Sequence, residues 1–508
     1  MLSLAVVHKV YYKLKKDIGR HFIKRDIWNT LRLIDTYANI AHSINDIMRD
    51  DELEHYLSDV AKQYVMTKQC TDADNKKVVF YDQIGTTVCL GLQYIRGLKA
   101  NGYEILYIYE NFSGVGPTSS LLLEELKKSG INVIEYPNKE FQENTIIFIA
   151  QKIQKDIIDF HPSKLFIHSP SCGALGSAVL YSLQGITRYR IVPGDHHFYI
   201  GYDCIDYFIE FRDYGISQAI YNRHIEINKI IKLPYYPIID TTEQFKGFPP
   251  ITKEKIVFAT AGAEYKFLGS EWLKNYAKWL LSSYPDSVLV FIGDAPKTIK
   301  SFIKTENLED RFIVLGYRKD FAACISNIDI LINSYPIGGG LICQTAAYFK
   351  KPIISYISSA DDPQCSIRSI LGNASLCGPI SYSDNKELQR YTERLIADDK
   401  YRVSEGERIY NALQTQSNFN ITLGGILNGQ GKSTIQNFQL TPPLSRTSFY
   451  LNLQSSGVRS QSILGMLYGY YGFSLLYKMP YLINLLIQNK TLISTSFTNK
   501  MKHAFQKQ

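Results

Sequence analysis

From Lys76 onward the chain alternates short, unbroken apolar runs with amphipathic stretches, and it does so twice. KKVVFYD, YEILYIYE, INVIEY, SKLFIHS, RYRIVPG and CIDYFIEF make up the first series; KIVFATAG, SVLVFIGD, RFIVLGY, IDILINSYP and PIISY make up the second. A run of this kind, apolar at consecutive positions and not at alternate ones, has to be covered on both faces. A parallel sheet with helices on either side does that. The length of 508 residues exceeds what one core organises,. Between the two series lies KLPYYPIIDTTEQFKGFPP, whose prolines and turn residues read as a linker,. The expected organisation is therefore α/β: a helical segment at 1–70, two tandem doubly wound domains at 71–240 and 241–410, and an irregular, then apolar, tail at 411–508.

The composition is that of a globular chain, with 45% hydrophobic and 20% charged residues,. A net charge of +8 suits phosphate-bearing ligands or an acidic membrane surface and is too small to argue for nucleic acid,. The eight cysteines are scattered, mostly in apolar runs, without zinc spacing, so a reducing cytoplasm is the simplest compartment and no metal site is expected,. MLSLAVVHKVYYKLKK has too short an apolar core for a secretion signal,.

Two segments raise the question of membranes. HKVYYKLKKDIGRHFIKR mixes cations with aromatics; a solvated helix face is the bland reading and peripheral contact with an acidic membrane surface the sharper one,. The tail LGMLYGYYGFSLLYKMPYLINLLI is apolar but interrupted by Lys478 and Pro480. A spanning helix needs about 20 uninterrupted apolar residues, so packing across the two halves is expected of it.

Ligands of open α/β sheets sit beyond the carboxyl ends of the strands. The loops there are Asp82–Thr87, Asn111–Pro117, Ser169–Leu175 and Pro193–Tyr202 in the first half. In the second they are Ala261–Lys266, Gly293–Pro296, Gly316–Lys319, Ser334–Leu341 and Ser358–Cys365. One of them, SYPIGGGL, puts Gly338, Gly339 and Gly340 between a strand and the first turn of a helix. A tight turn is one reason for such a triplet; backbone N–H groups left bare for a phosphate are the other. No dinucleotide fingerprint or Walker sequence stands at a strand end, and the GKS at 431–433 lacks a preceding strand,.

At this point the sequence resembles the glycosyltransferases with two Rossmann-like domains facing across a cleft, the GT-B type. The second half is most similar to the catalytic region of O-linked N-acetylglucosamine transferases and related bacterial adhesin glycosyltransferases. The stretches that carry the likeness are FATAGAEYKFLGSEWLKNYAKWLLSSYPDSVLVFIGDAP, IDILINSYPIGGGLICQTAAYFKKPIISY and RYRIVPGDHHFYIGYDCIDYFIEF. The resemblance implies a nucleotide diphosphate sugar, uridine-linked, as donor and co-substrate, with no other cofactor. It implies Lys266 against the diphosphate, where an ammonium meets the charge that develops on the leaving group. Gly338, Gly339, Gly340 and Leu341 would offer phosphate-binding amides, Gln344 would stand at the ribose, and Arg318 beside the loop bracketing the base.

Departures from the family pattern matter as much. Gln344 replaces a carboxylate, and Pro336 stands where many retaining enzymes carry a glutamate. The missing retaining pattern favours inversion, which needs a base for the acceptor hydroxyl. Asp195, His196 and His197 form one candidate group and Asp82 another. The first half lacks the relatives' histidine loop and their protein-presenting repeats, which points to a glycan or glycolipid acceptor. The alternatives are a nucleotide-sugar epimerase, a protein glycosyltransferase, and a scaffold that binds sugar nucleotide without turnover.

Overall fold

The computed structural model describes residues 2–85, 88–114, 120–248, 251, 255–358, 367, 370–372, 374–430, 445, 447–455 and 463–482. The chain divides into two compact units. The first comprises Met1–Ile209, Gln218–Ile231 and Ser445–Gln508; the second comprises Glu210–Ser217 and Lys232–Leu444.

The first sheet has seven strands: β1 (Asp74–Asp82), β2 (Glu104–Glu110), β3 (Asn132–Tyr136), β4 (Pro162–His168), β5 (Thr187–Ile191), β6 (Tyr207–Glu210) and β7 (Ile230–Lys232), in the order β3-β2-β1-β4-β5-β6-β7. Pairing is parallel from β3 to β6, with Val79 of β1 opposite Leu106 on one side and Leu165 on the other. The second sheet has six: β8 (Ile256–Ala261), β9 (Ser287–Ile292), β10 (Phe312–Gly316), β11 (Ile330–Ile332), β12 (Ile353–Tyr356) and β13 (Ser381–Tyr382), in the order β10-β9-β8-β11-β12-β13. Counted sheet by sheet, the first runs 3-2-1-4-5-6-7 and the second 3-2-1-4-5-6, the doubly wound order whose ligand position lies where the winding reverses, between the first and fourth strands,.

The residue pattern of the second sheet explains its two layers. Side chains alternate along a strand, so Val257, Ala259 and Ala261 of β8 face one core, shared with Cys343, Ala346 and Ala347 of the Gly340–Tyr348 helix. Phe258 faces the other, shared with Trp272, Tyr276 and Leu280 of the Trp272–Ser283 helix. Small residues lie under the glycine-led helix, which can therefore approach the sheet closely.

The helical N-terminal segment belongs to the first unit. Its helices are Leu4–Ile23, Ile27–Ile44 and Asp51–Val60; Asp26 caps the second through the amide of Asn29, and Asp50 caps the third through that of Glu52. Of the apolar tail, Ile463–Tyr471 lies against Ile27–Ile44 within the first unit, with the Tyr471 hydroxyl donating to Asp17 at 2.7 Å. Two buried apolar surfaces meet there, and both come from ends of the chain. Among the described residues no helix is long and apolar enough to cross a membrane. The GKS at 431–433, the loop Ser358–Cys365 beyond Ser358, Val115–Pro117, Thr86–Thr87 and the tail beyond Leu482 lie outside the described residues.

Candidate functional site

In the second unit the loops after β8 and β11, the first and fourth strands, meet at the switch point. Lys266 sits in the single turn Glu264–Phe267 that follows β8. Its Nζ lies 3.5 Å from the carbonyl oxygen of Gly338, and its own carbonyl accepts the Ile337 amide at 3.3 Å. Burial pushes the Lys266 ammonium below its ordinary pKa, with the Cys343 thiol opposing. No carboxylate neutralises it among the described residues. Glycines stack the loops: Gly293, at φ +124°, would bring a Cβ to 2.8 Å from the Gly262 carbonyl, and a Cβ on Gly262 would press on the Lys266 stem at 3.2 Å,.

The glycine triplet turns out to serve two ends. A Cβ on Gly339 would crowd Ser334 and Ile342, and one on Gly340 would crowd Ile370. The Gly339 amide, expected to be bare, donates to Asn333 Oδ1 at 2.9 Å. Asn333 also accepts the Cys343 thiol at 3.3 Å and donates to Ser355 Oγ at 3.1 Å, which pins the loop to β12. The amides of Gly340 and Leu341, in the first turn of the helix, have no acceptor among the described residues,. The Leu341 side chain is exposed. Anion-binding capacity therefore rests on Gly340 and Leu341, with Lys266 beside them.

Two other expected donor-site residues have partners within the chain. Gln344 is fully buried and gives its Nε2 to the carbonyls of Ile370 (2.9 Å) and Tyr235 (3.3 Å), while its Oε1 has no partner. Arg318 forks onto Asp320 at 2.7 and 2.6 Å and reaches the Gly247 carbonyl at 3.0 Å. Asp320, which also accepts the Lys246 amide, is held well below the usual carboxylate range, chiefly by that guanidinium. Arg318 thus anchors the linker, and its planar fork is spent on a carboxylate and a carbonyl.

The first unit has the same switch point, with a different filling. Its fourth strand leads into the Ala174–Tyr181 helix, and there the amides of Gly173 and Ala174 both donate to Asp35 Oδ1 at 2.8 Å. Burial raises the Asp35 carboxyl to about 6 despite those amides and the Ser113 hydroxyl. One helix start is thus occupied by a carboxylate of the chain itself; the corresponding one in the second unit is open. Asp82, the alternative base, lies inside the first unit, 1% exposed, accepting the Tyr107 hydroxyl (2.7 Å), the amides of Ile84 and Gly85, and facing His168 Nδ1 at 3.2 Å. Burial opposes its ionisation, but His168 and these donors outweigh it and lower its pKa. A carboxylate so fully engaged shapes its turn.

Asp195, His196 and His197 are brought together. The Asp195 carboxylate is buried and stands 3.1 Å from Nδ1 of His196, whose side chain is 24% exposed. The buried Arg223 donates to the main-chain oxygens of Asp195 and His197, both at 2.8 Å. From the N-terminal segment, His42 stacks on His197 at 3.8 Å and the Asn45 carboxamide lies 3.2 Å from His197 Nδ1. A carboxylate on one imidazole nitrogen leaves the other as the proton acceptor. Among the described residues no group of His, Cys, Asp and Glu is arranged to hold a metal ion.

No family model matches the chain, and no curated protein does. Solved structures do. A mutant of the O-GlcNAc transferase of Thermobaculum terrenum superposes with a TM-score of 0.54 at 14% identity, over 84% of this chain and 83% of that one. A glycosyltransferase of Rickettsia africae gives 0.52 at 15% identity, over 72% of this chain and 100% of the other. Anabaena HepE, solved with UDP and glucose, gives 0.50 at 15% identity, over 70% and 100%. At such identities the likeness is one of fold.

Proposed function

We propose that this chain, which has the two-Rossmann GT-B fold of glycosyltransferases, transfers a sugar from a UDP-linked donor to a hydroxyl of a glycan or glycolipid, with inversion. The observation that carries the reading is the contrast between the two helix starts. Asp35 fills the first unit's, whereas the second unit's presents the amides of Gly340 and Leu341 next to the Lys266 ammonium. A diphosphate bound there would be met by main-chain donors and a cation, both of which gain strength as negative charge grows on the leaving group.

In this reading His196, oriented by Asp195, takes the proton of the acceptor hydroxyl,. The hydroxyl oxygen forms a bond to the anomeric carbon as that carbon's bond to the diphosphate oxygen breaks. The bonding pair leaves with the nucleotide, toward Lys266 and the Gly340 and Leu341 amides. The same reading includes peripheral contact with a membrane, where a glycolipid acceptor would reside.

The test is a panel of nucleotide sugars. One UDP-sugar is expected to raise the melting temperature more than its guanosine or adenosine counterparts, and to release free UDP slowly in the absence of acceptor. Interconversion of two UDP-sugars would favour the epimerase alternative, and binding without release of UDP the scaffold. Absence of stabilisation by every UDP-sugar would remove the reading.

A further inference from the structure

We propose that the outward stripe of the Leu4–Ile23 helix, with the Gly472–Lys478 segment beside it, is a docking surface for an anionic membrane. This extends the peripheral-contact part of the reading above, but neither the inference nor its test involves a sugar nucleotide.

The helix has two unlike faces. Val7, Val10, Tyr11, Leu14, Asp17 and Ile18 are buried against the first unit. Lys9, Tyr12, Lys16, Arg20 and Ile23, three or four positions apart, are exposed, and Lys24 and Arg25 extend the row. Tyr12 is 72% and Ile23 82% exposed. A solvated helix face ordinarily mixes charge signs; this one does not. The only acid of the helix, Asp17, is turned inward to Lys13 and the Tyr471 hydroxyl, with Arg20 reaching back to it at 3.3 Å. Lys15 is spent on Asp50 and Glu52 at 2.8 and 3.2 Å.

The Asp17–Tyr471 bond and Lys478, 4.9 Å above the Tyr471 ring, place the Gly472–Lys478 segment next to this helix. There Phe473, Leu476 and Tyr477 stand 64%, 45% and 74% exposed, and no acidic residue occurs between Ile463 and Leu482. Lysines and arginines meet phosphate headgroups, while aromatic and leucine side chains enter the boundary between headgroups and acyl chains. Because the helix's own apolar face is already used in the protein core, binding depends on the cations plus a few anchors. Reversible, salt-sensitive attachment follows.

The experiment is co-sedimentation of the full chain with vesicles of phosphatidylcholine alone or mixed with phosphatidylglycerol. Binding is expected to the mixed vesicles only, and to weaken with salt. Lys9→Gln, Lys16→Gln and Lys24→Gln together should lower the partition coefficient about a hundredfold, at about fivefold per cation. Phe473→Ser, Leu476→Ser and Tyr477→Ser should abolish the binding that survives high salt. The glutamine changes fall on exposed positions, Lys9 and Lys16 within the helix and Lys24 just past its end, and leave folding intact, so they decide the matter even if the serine variant misfolds. Equal binding to both vesicles, none to the mixed ones, or wild-type partitioning of the glutamine variant would overturn the proposal. So would retention on a soluble polyanion such as heparin without sedimentation on mixed vesicles.

Discussion

At the scale of single residues, Gln344 explains its own departure from the glycosyltransferase pattern. Its Nε2 faces two carbonyl oxygens, those of Ile370 and Tyr235, at a fully buried position. A glutamate there would turn a negative oxygen toward two acceptors and leave both without a donor. Gln344→Glu is therefore expected to destabilise the second unit by about 2–4 kcal/mol, each orphaned buried acceptor costing about 1–3; a melting curve like the wild type's would refute this. Lys266 belongs to the opposite class. Its ammonium is held without a carboxylate partner, so removing it relieves burial of a charge and breaks only a long contact to Gly338. Lys266→Ala should leave the melting temperature nearly unchanged and lower turnover on the order of a hundredfold, the scale of losing one donor to a developing anion. Steady-state kinetics beside a thermal melt check both halves; undiminished turnover would strip Lys266 of its role.

At the scale of elements, the Ala174–Tyr181 helix start depends on a carboxylate supplied by a different helix. Asp35→Ala would leave the Gly173 and Ala174 amides buried without an acceptor and should cost the first unit about 2–4 kcal/mol, while UDP affinity of the other unit stays as it was,. Denaturant melts and a nucleotide titration on the same variant test the pair; weakened UDP binding would contradict the division of labour between the units. The strands were legible because continuous apolar runs admit few environments, and with them the switch-point loops that hold Lys266 and the glycine triplet. Asp35 was not, because its partners lie 138 and 139 positions away. The support of the Asp195–His197 loop by His42 and Asn45 was hidden for the same reason. Asn333 could have been suspected: an asparagine immediately after ILI, ahead of bare glycines, is a natural partner for their amides. The Asp320 partner of Arg318 was not legible, because a loop arginine reads alike whether it faces a ligand or an aspartate two residues on.

At the scale of the whole molecule, the two units should answer to different variables. Three carboxyls buried in the first unit are raised by burial: Asp35 to about 6, and Glu54 and Glu110 to about 7. A carboxyl whose folded pKa is raised contributes stability that is fully present below its unfolded value and lost as pH climbs through the folded one. The first unit should therefore weaken between about pH 4, where these carboxyls ionise in the unfolded chain, and about pH 7, where they ionise in the folded one, instead of being most stable near neutrality,. At the acid end, Asp17, Asp26, Asp51 and Asp82, whose carboxyls are held below their ordinary values, act in the reverse sense and lose their contribution as pH falls further. Hydrogen exchange followed peptide by peptide, corrected for intrinsic rates, separates the units. Raising the pH across that window should reduce protection of peptides around 74–82, 104–110 and 174–181. UDP at fixed pH should increase it around 256–267 and 330–348. Glu54→Gln with Glu110→Gln removes two of the three titrating groups while keeping an acceptor oxygen for their donors, so the pH dependence should flatten in that variant and the UDP response persist. Protection of the first unit that rises steadily with pH would mean that these carboxyls are ionised in the folded state, and the buried acidic layer would then have to be held by cations that its hydrogen-bond partners do not include.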